Sequence, residues 1–256
     1  MLNTDTYAYA SRLKTIDPMQ KFIVAFLTLG VCLWADQLFV SIAVIMFMSG
    51  VAIFFGGAPL SVWLKLMIIP MSFLMIGIFT IAVNISRDVY SFLWAYSIAG
   101  YWVGISENGI REGVNLFFRV LGSVSCLYFL SLSTPMVDLL SVLRRLRLPK
   151  LMVEMMGLIY RFIFVLLETA GTMLTAQNSR LGYVNLKTGY RSMGSLVSVL
   201  FIRAYKRSNE LYTSLEARGY DGEIKVLEES YENNRNLVLL AVVINGAFVF
   251  LTLFLK

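Results

Sequence analysis

Histidine is absent from this 256-residue chain, and cysteine occurs only at Cys32 and Cys126, each inside an apolar run. A first-row transition-metal site would therefore rest on carboxylates and thioethers alone. No such cluster stands out, and the scattered methionines, tightest at Met152, Met155 and Met156, read as adaptable packing. No glycine-rich phosphate loop ending in Gly-Lys-Ser or Gly-Lys-Thr occurs, so the chain is not equipped to hydrolyse ATP itself. No metal, cofactor or catalytic residue is assigned. Charge is also scarce: 15% of residues are charged and 58% are hydrophobic, far from the roughly one-quarter charged content of soluble domains.

What is abundant is long apolar runs. Residues 38–55, 66–83, 114–131 and 237–255 each approach the roughly 20 apolar residues that cross a bilayer as a helix, and the shorter run 22–35 comes close when extended back through Pro18 and Met19. The opening, MLNTDTYAYASRLKTIDPMQK, lacks the basic start and immediate apolar core of a cleaved leader and is read as retained. The net charge of +6 fits the enrichment of Lys and Arg on the cytoplasmic face of membrane proteins; nucleic acid is discounted as a partner. Of the 22 basic residues, 14 fall between 136 and 235, which assigns that block to the cytoplasm. Arg12, Lys14 and Lys21 place the N-terminus on the same side, so four spans separate the two. By the same parity, residues 89–106, with Tyr90, Trp94, Tyr96, Tyr101 and Trp102, lie on the outer surface as an interfacial belt. Residues 151–176 stay on the cytoplasmic side.

The expected architecture is an all-α, multi-pass membrane protein of about five spans with a helical insertion before the last. Its regions are a four-span part (1–133), a cytoplasmic coupling-helix part (134–235) and a final span (236–256). Within the insertion, Thr134-Pro135 reads as a helix start and Pro149 as a stop, with Leu139, Leu140, Leu143 and Leu146 forming one apolar stripe. From Leu151 to Arg180, Glu154, Arg161 and Glu168 recur at seven-residue spacing and mark a polar stripe suited to solvent or to neighbouring helices. A last amphipathic helix is expected over 194–218. Arg119, alone inside its span, lies close enough to the outer end to snorkel. Gly50, Ala52, Gly56 and Gly57 would permit close helix approach.

Two helix ends match: TAQNSRLGY at 175–183 and LEARGYDG at 215–222. In both, alanine, arginine and glycine occur in that order within a few residues and tyrosine follows. Arginine in a last turn suits the negative end of the helix dipole, and glycine supplies a left-handed cap. Two such ends in one basic block point to two similar docking tips for two similar partners.

On these residues the chain resembles the CbiQ family, the transmembrane coupling components of energy-coupling-factor importers. Asp17, Pro18 and Lys21 ahead of the first span, Ala176 to Tyr183, and the ending Arg218, Gly219, Tyr220, Asp221 and Gly222 carry the resemblance. It implies a non-catalytic subunit in the cell membrane of a prokaryote, N-terminus cytoplasmic. It also implies two cytoplasmic ABC-type ATPases and a small membrane subunit that captures substrate as partners. Two short Ala-Arg-Gly motifs would contact the ATPases: Ala176, Arg180 and Gly182 in one, Ala217, Arg218 and Gly219 in the other. The first departs from a strict tripeptide, since Ser179 precedes Arg180 and Leu181 follows it. The cobalt branch is the first choice, with nickel, biotin and other vitamin systems sharing the architecture; a self-contained channel or secondary carrier and an intramembrane enzyme are the alternatives from other classes.

Overall fold

Helix α2 (Pro18–Ala35) starts directly after Asp17. Asp17 Oδ1 accepts the Met19 backbone N–H at 3.1 Å, satisfying one of the orphan donors of the first turn, and Pro18 needs none. The helix thus includes the Pro18–Met19 extension that brings the 22–35 run to spanning length. The structure is a computed structural model and describes residues 3–35, 37–86, 92–98, 101–220, 231 and 235–254.

The described residues contain four helices long and apolar enough to cross a membrane. They are α2, α3 (Leu38–Gly50, extended by a π-helical turn to Phe55), α4 (Leu60–Ala82) and α5 (Glu107–Ser133). The fifth expected span is α9 (Arg235–Phe254), whose apolar part is shorter. A short helix α1 (Asn3–Ala10) and a 3-10 turn at Arg12–Thr15 precede them. The chain divides into two compact units, Met1–Leu139 with Ser230–Lys256, and Leu140–Glu229.

In the first unit α5 is the hub, packed against α2, α3 and α4, while α9 lies mainly on α2. Cys32, Val40, Val44, Met48, Cys126 and Phe129 share its buried core. Close approach at the α5 interface is set by glycine. A Cβ on Gly122 would stand 2.7 Å from Cys32 Sγ, and one on Gly109 would stand 2.8 Å from the Ile81 carbonyl, whereas Gly50 faces open space. The Arg119 guanidinium donates to the Leu33 carbonyl, one of the last orphan acceptors of α2. Asn245 of α9, 2% exposed, donates to Thr28 Oγ1 of α2 at 3.0 Å.

Hydrogen bonds at the two ends of this bundle agree with the parity of the spans. At one end Ser11 Oγ donates to the Gly56 carbonyl at 3.0 Å and Lys21 Nζ to the Ser133 carbonyl at 3.1 Å. At the other, Gln37 Nε2 donates to the Thr252 carbonyl at 3.3 Å. Residues 11, 21, 56 and 133 thus share one end, and Gln37 with Thr252 of α9 the other.

The helical class holds for the membrane spans and for the second unit. The addition is a small antiparallel sheet made of β1 (Val83–Ser86), β2 (Phe92–Ile98) and β3 (Tyr101–Ser106) in the order β1-β3-β2. Val83 pairs with Ile105, and Ile98 with Tyr101. Aromatic and β-branched residues favour a strand as readily as a membrane interface, which is why the run around Trp94 and Trp102 reads as a belt in sequence. Tyr90 lies outside the described residues.

Helix α6 (Met136–Arg145) starts after Thr134-Pro135 as expected but ends before Pro149, because Arg147 turns into the left-handed region at φ 62°. The second unit is then chiefly α7 (Lys150–Ser179) and α8 (Leu186–Ala217), packed together. Helix α8 begins eight residues earlier than its apolar pattern indicates. Asn185 and Thr188 form a reciprocal capping box there, with the Asn185 N–H donating to Thr188 Oγ1 at 3.2 Å.

Candidate functional site

Both arginines named by the sequence terminate a helix in the same way. Arg180 is the C-cap of α7 with φ −98° and ψ 16°, and Arg218 is the C-cap of α8 with φ −96° and ψ 8°. In each case the residue two further on closes the turn: Gly182 N–H donates to the Gln177 carbonyl at 2.8 Å, and Tyr220 N–H to the Leu215 carbonyl at 3.0 Å. This six-to-one closure consumes carbonyls that the helix end would otherwise leave orphaned. Arg180 and Arg218 are both exposed, and neither side chain has a hydrogen bond or ion pair among the described residues.

Superposing the two caps by their arginines changes the equivalences that the sequence suggests. The left-handed position after Arg218 is Gly219, at φ 73°, where no side chain is strained. The corresponding position after Arg180 is Leu181, at φ 59°, not Gly182. Gly182 is required for a different reason: a Cβ there would stand 2.7 Å from Ser192 Oγ and 2.9 Å from the Gln177 carbonyl. The alanines differ too, since Ala217 directly precedes Arg218 whereas Ser179 precedes Arg180 and Ala176 lies a turn earlier; both alanines are exposed. Asp221 and Gly222 lie outside the described residues.

Each tip is tied across the α7–α8 hairpin through a tyrosine. Tyr183 Oη donates to Gln177 Oε1 at 2.7 Å, Gln177 Nε2 donates to the Ser192 carbonyl at 2.9 Å, and Ser192 Oγ donates to the Gly182 carbonyl at 2.9 Å. At the other tip Tyr220 Oη donates to Glu154 Oε2 at 3.1 Å. The helices therefore run antiparallel, with the end of α7 beside the start of α8 and the reverse. Arg180 caps one end of α7 while the Arg218 tip is moored near the other, roughly 39 Å away at ~1.5 Å per residue. The polar stripe divides accordingly: Glu154 is half-buried and bonded, Arg161 and Glu168 are exposed.

Between the two helices lies a mostly apolar cavity of about 820 Å³, lined among others by Leu158, Phe162 and Leu211 with Arg203 and Arg207 at its wall. Large apolar side chains also stand exposed on both helices, Leu151 at 64%, Leu186 at 86% and Phe201 at 72%. Exposed apolar area on this scale marks a surface that another protein or lipid covers. Sequence reading located the arginines but missed Gln177, Ser192 and the Tyr220–Glu154 bond. The tyrosine after each glycine was the one visible signal.

A family model described as cobalt transport protein, CbiQ, matches residues 10–228. An uncharacterized protein of Methanocaldococcus jannaschii is 33% identical over 257 aligned positions, covering 98% of this chain and 92% of its own. The cobalt transport protein CbiQ of Salmonella typhimurium is 30% identical, over 87% of this chain and 99% of its own. The energy-coupling factor transporter transmembrane protein EcfT of Lacticaseibacillus paracasei is 27% identical, over 81% and 80%.

Proposed function

The chain belongs to the CbiQ family of cobalt transport proteins and is a membrane component of a transporter, and from that premise we propose that it is the coupling subunit of an ATP-driven importer. Two cytoplasmic ATPases would each receive one arginine tip, and a small membrane subunit would capture the cargo. The observation that carries this reading is the matched pair of C-cap arginines, exposed, unpaired within the described chain and standing on one braced hairpin. A guanidinium offers a planar fork of donors suited to a carboxylate-lined groove. Two copies separated by roughly 39 Å suit two copies of a partner better than one.

On this reading residues 134–235 face the cytoplasm together with the N-terminus, and the chain is a lever. Closure of the ATPase pair on ATP would move the two tips, and the exposed apolar faces of α4, α7 and α8 would pass that motion to the capture subunit. Cobalt is the proposed cargo, because the family description and the relative matched over nearly its whole length are both cobalt transport proteins. The test is replacement of Arg180 and Arg218 by alanine, singly and together, with ATPase retention and substrate uptake measured side by side.

A further inference from the structure

We infer that Glu154, through the hydrogen bond it accepts from Tyr220, is a positioning residue for the Arg218 tip, an assignment that rests on reading Arg218 as an ATPase contact. Glu154 is one of few charges on the 30-residue α7 and is half-buried at the wall of the apolar cavity. A carboxylate in such surroundings is costly unless its oxygens are bonded, and its Oε2 is met by the Tyr220 hydroxyl at 3.1 Å. Tyr220 is itself fixed at the backbone, where its N–H closes the cap of α8 on the Leu215 carbonyl at 3.0 Å. It therefore joins the end of α8 to the first turns of α7 across 66 residues.

Between Arg218 and Tyr220 stands only Gly219, at φ 73°, exposed and with open space where a Cβ would be. Glycine gives this link the widest backbone freedom. The direction in which Arg218 leaves the helix end therefore depends on what holds the residue beyond it, and Tyr220 is held from α7. The Arg180 tip is arranged differently: Gly182 is wedged against Ser192 Oγ and the Gln177 carbonyl, so its geometry is set locally and by the start of α8. The sensitivity to Glu154 should accordingly be confined to one of the two tips.

The experiment uses the full-length chain in detergent and the ATPase subunits that co-purify with it, and measures their dissociation constant by titration. On an Arg180→Ala background, where association reports the Arg218 tip, Tyr220→Phe and Glu154→Leu should each weaken binding about five- to ten-fold, the scale of losing a hydrogen bond to a charged group. Combined, they should weaken it by less than the sum of the two, since both remove the Tyr220–Glu154 bond. Glu154→Gln keeps an acceptor for the Tyr220 hydroxyl and should stay within roughly two-fold. On an Arg218→Ala background Tyr220→Phe should change nothing. Equal losses in both backgrounds, or none in either, overturn the assignment while leaving the arginines' role standing. If Arg218→Ala itself leaves association intact, the coupling reading fails and takes the assignment with it.

Discussion

Tyr231 Oη donates a hydrogen bond to Asp138 Oδ1 at 2.7 Å, joining residues 93 apart in sequence. The two flank the points at which the chain leaves the membrane unit, after Leu139, and returns to it, at Ser230. Beneath them Lys21, 1% exposed, donates from Nζ to the carbonyls of Leu13 and Ser133, both at 3.1 Å, and its charge is offset by Asp138 and Asp17. The family-like Asp17, Pro18 and Lys21 thus serve the fold itself, starting α2 and anchoring the root of the insertion.

Removing these groups should cost unequal amounts. Tyr231→Phe deletes one bond to a charged acceptor and is expected to destabilise by about 1–3 kcal/mol. Lys21→Met leaves two carbonyls without their donor and the carboxylates of Asp138 and Asp17 without their cation, and about 3–5 kcal/mol is expected. Thermal denaturation in detergent checks the order; a Lys21→Met protein melting at or above Tyr231→Phe would show that the buried cation is dispensable.

The two caps should answer oppositely to glycine. Leu181→Gly relieves a left-handed leucine and is expected to stabilise the α7 end by about 1 kcal/mol, while Gly219→Ala should destabilise the α8 end by a similar amount. Gly182→Ala must displace Ser192 Oγ or the cap itself. Amide hydrogen exchange resolved to residues 176–192 and 214–220 would register each change; faster exchange near Leu181 after Leu181→Gly would contradict the cap geometry.

The start of α6 was legible because a hydroxyl residue followed by proline, Thr134-Pro135, is a strong helix-start signal. Asn185 with Thr188 was less visible, since the residues it caps are polar and the apolar period of α8 begins only later. The left-handed Leu181 was hidden altogether. An adjacent glycine offered itself as the cap, and only the close approach of Ser192 reveals that Gly182 is needed for space, not for φ. The sheet at 83–106 was lost for a compositional reason, as tyrosine and tryptophan suit an interface and a strand alike. The two arginines could be found because their recurrence is a pattern in one dimension, whereas the Tyr220–Glu154 bond exists only across the folded hairpin.

The last span should be fastened weakly but specifically. Asn245 Nδ2 donates both to Thr28 Oγ1 at 3.0 Å and to the Ala241 carbonyl at 2.8 Å. Intramembrane hydrogen bonds between helices contribute about 0.6 kcal/mol on average and up to about 2 kcal/mol. Thr28→Val should therefore cost less than about 1 kcal/mol, because the bond within α9 persists, and Asn245→Leu more. Denaturation in mixed micelles checks this ranking, and a larger loss for Thr28→Val would contradict it.

Orientation in the bilayer is open to direct labelling. In a Cys32→Ser, Cys126→Ser background, cysteines at positions 185 and 229 should be protected from an impermeant maleimide on intact cells, and cysteines at 108 and 256 should react. Labelling of position 185 from outside would reverse the proposed topology.

The central claim is that Arg180 and Arg218 each hold one ATPase. If the two are only dipole caps on solvated helix ends, each alanine replacement should cost at most about 1 kcal/mol and leave assembly intact. If each enters a groove as a desolvated charged contact, truncation should weaken association by roughly 2–5 kcal/mol, and lysine, lacking the planar fork, should restore it only in part. The deciding measurement is ATPase retention on the purified membrane subunit carrying both Arg180→Ala and Arg218→Ala, at wild-type expression, alongside cobalt uptake in cells. The account predicts partial loss in each single variant and release of the ATPases with loss of uptake in the double variant; full retention and uptake in the double variant would contradict it.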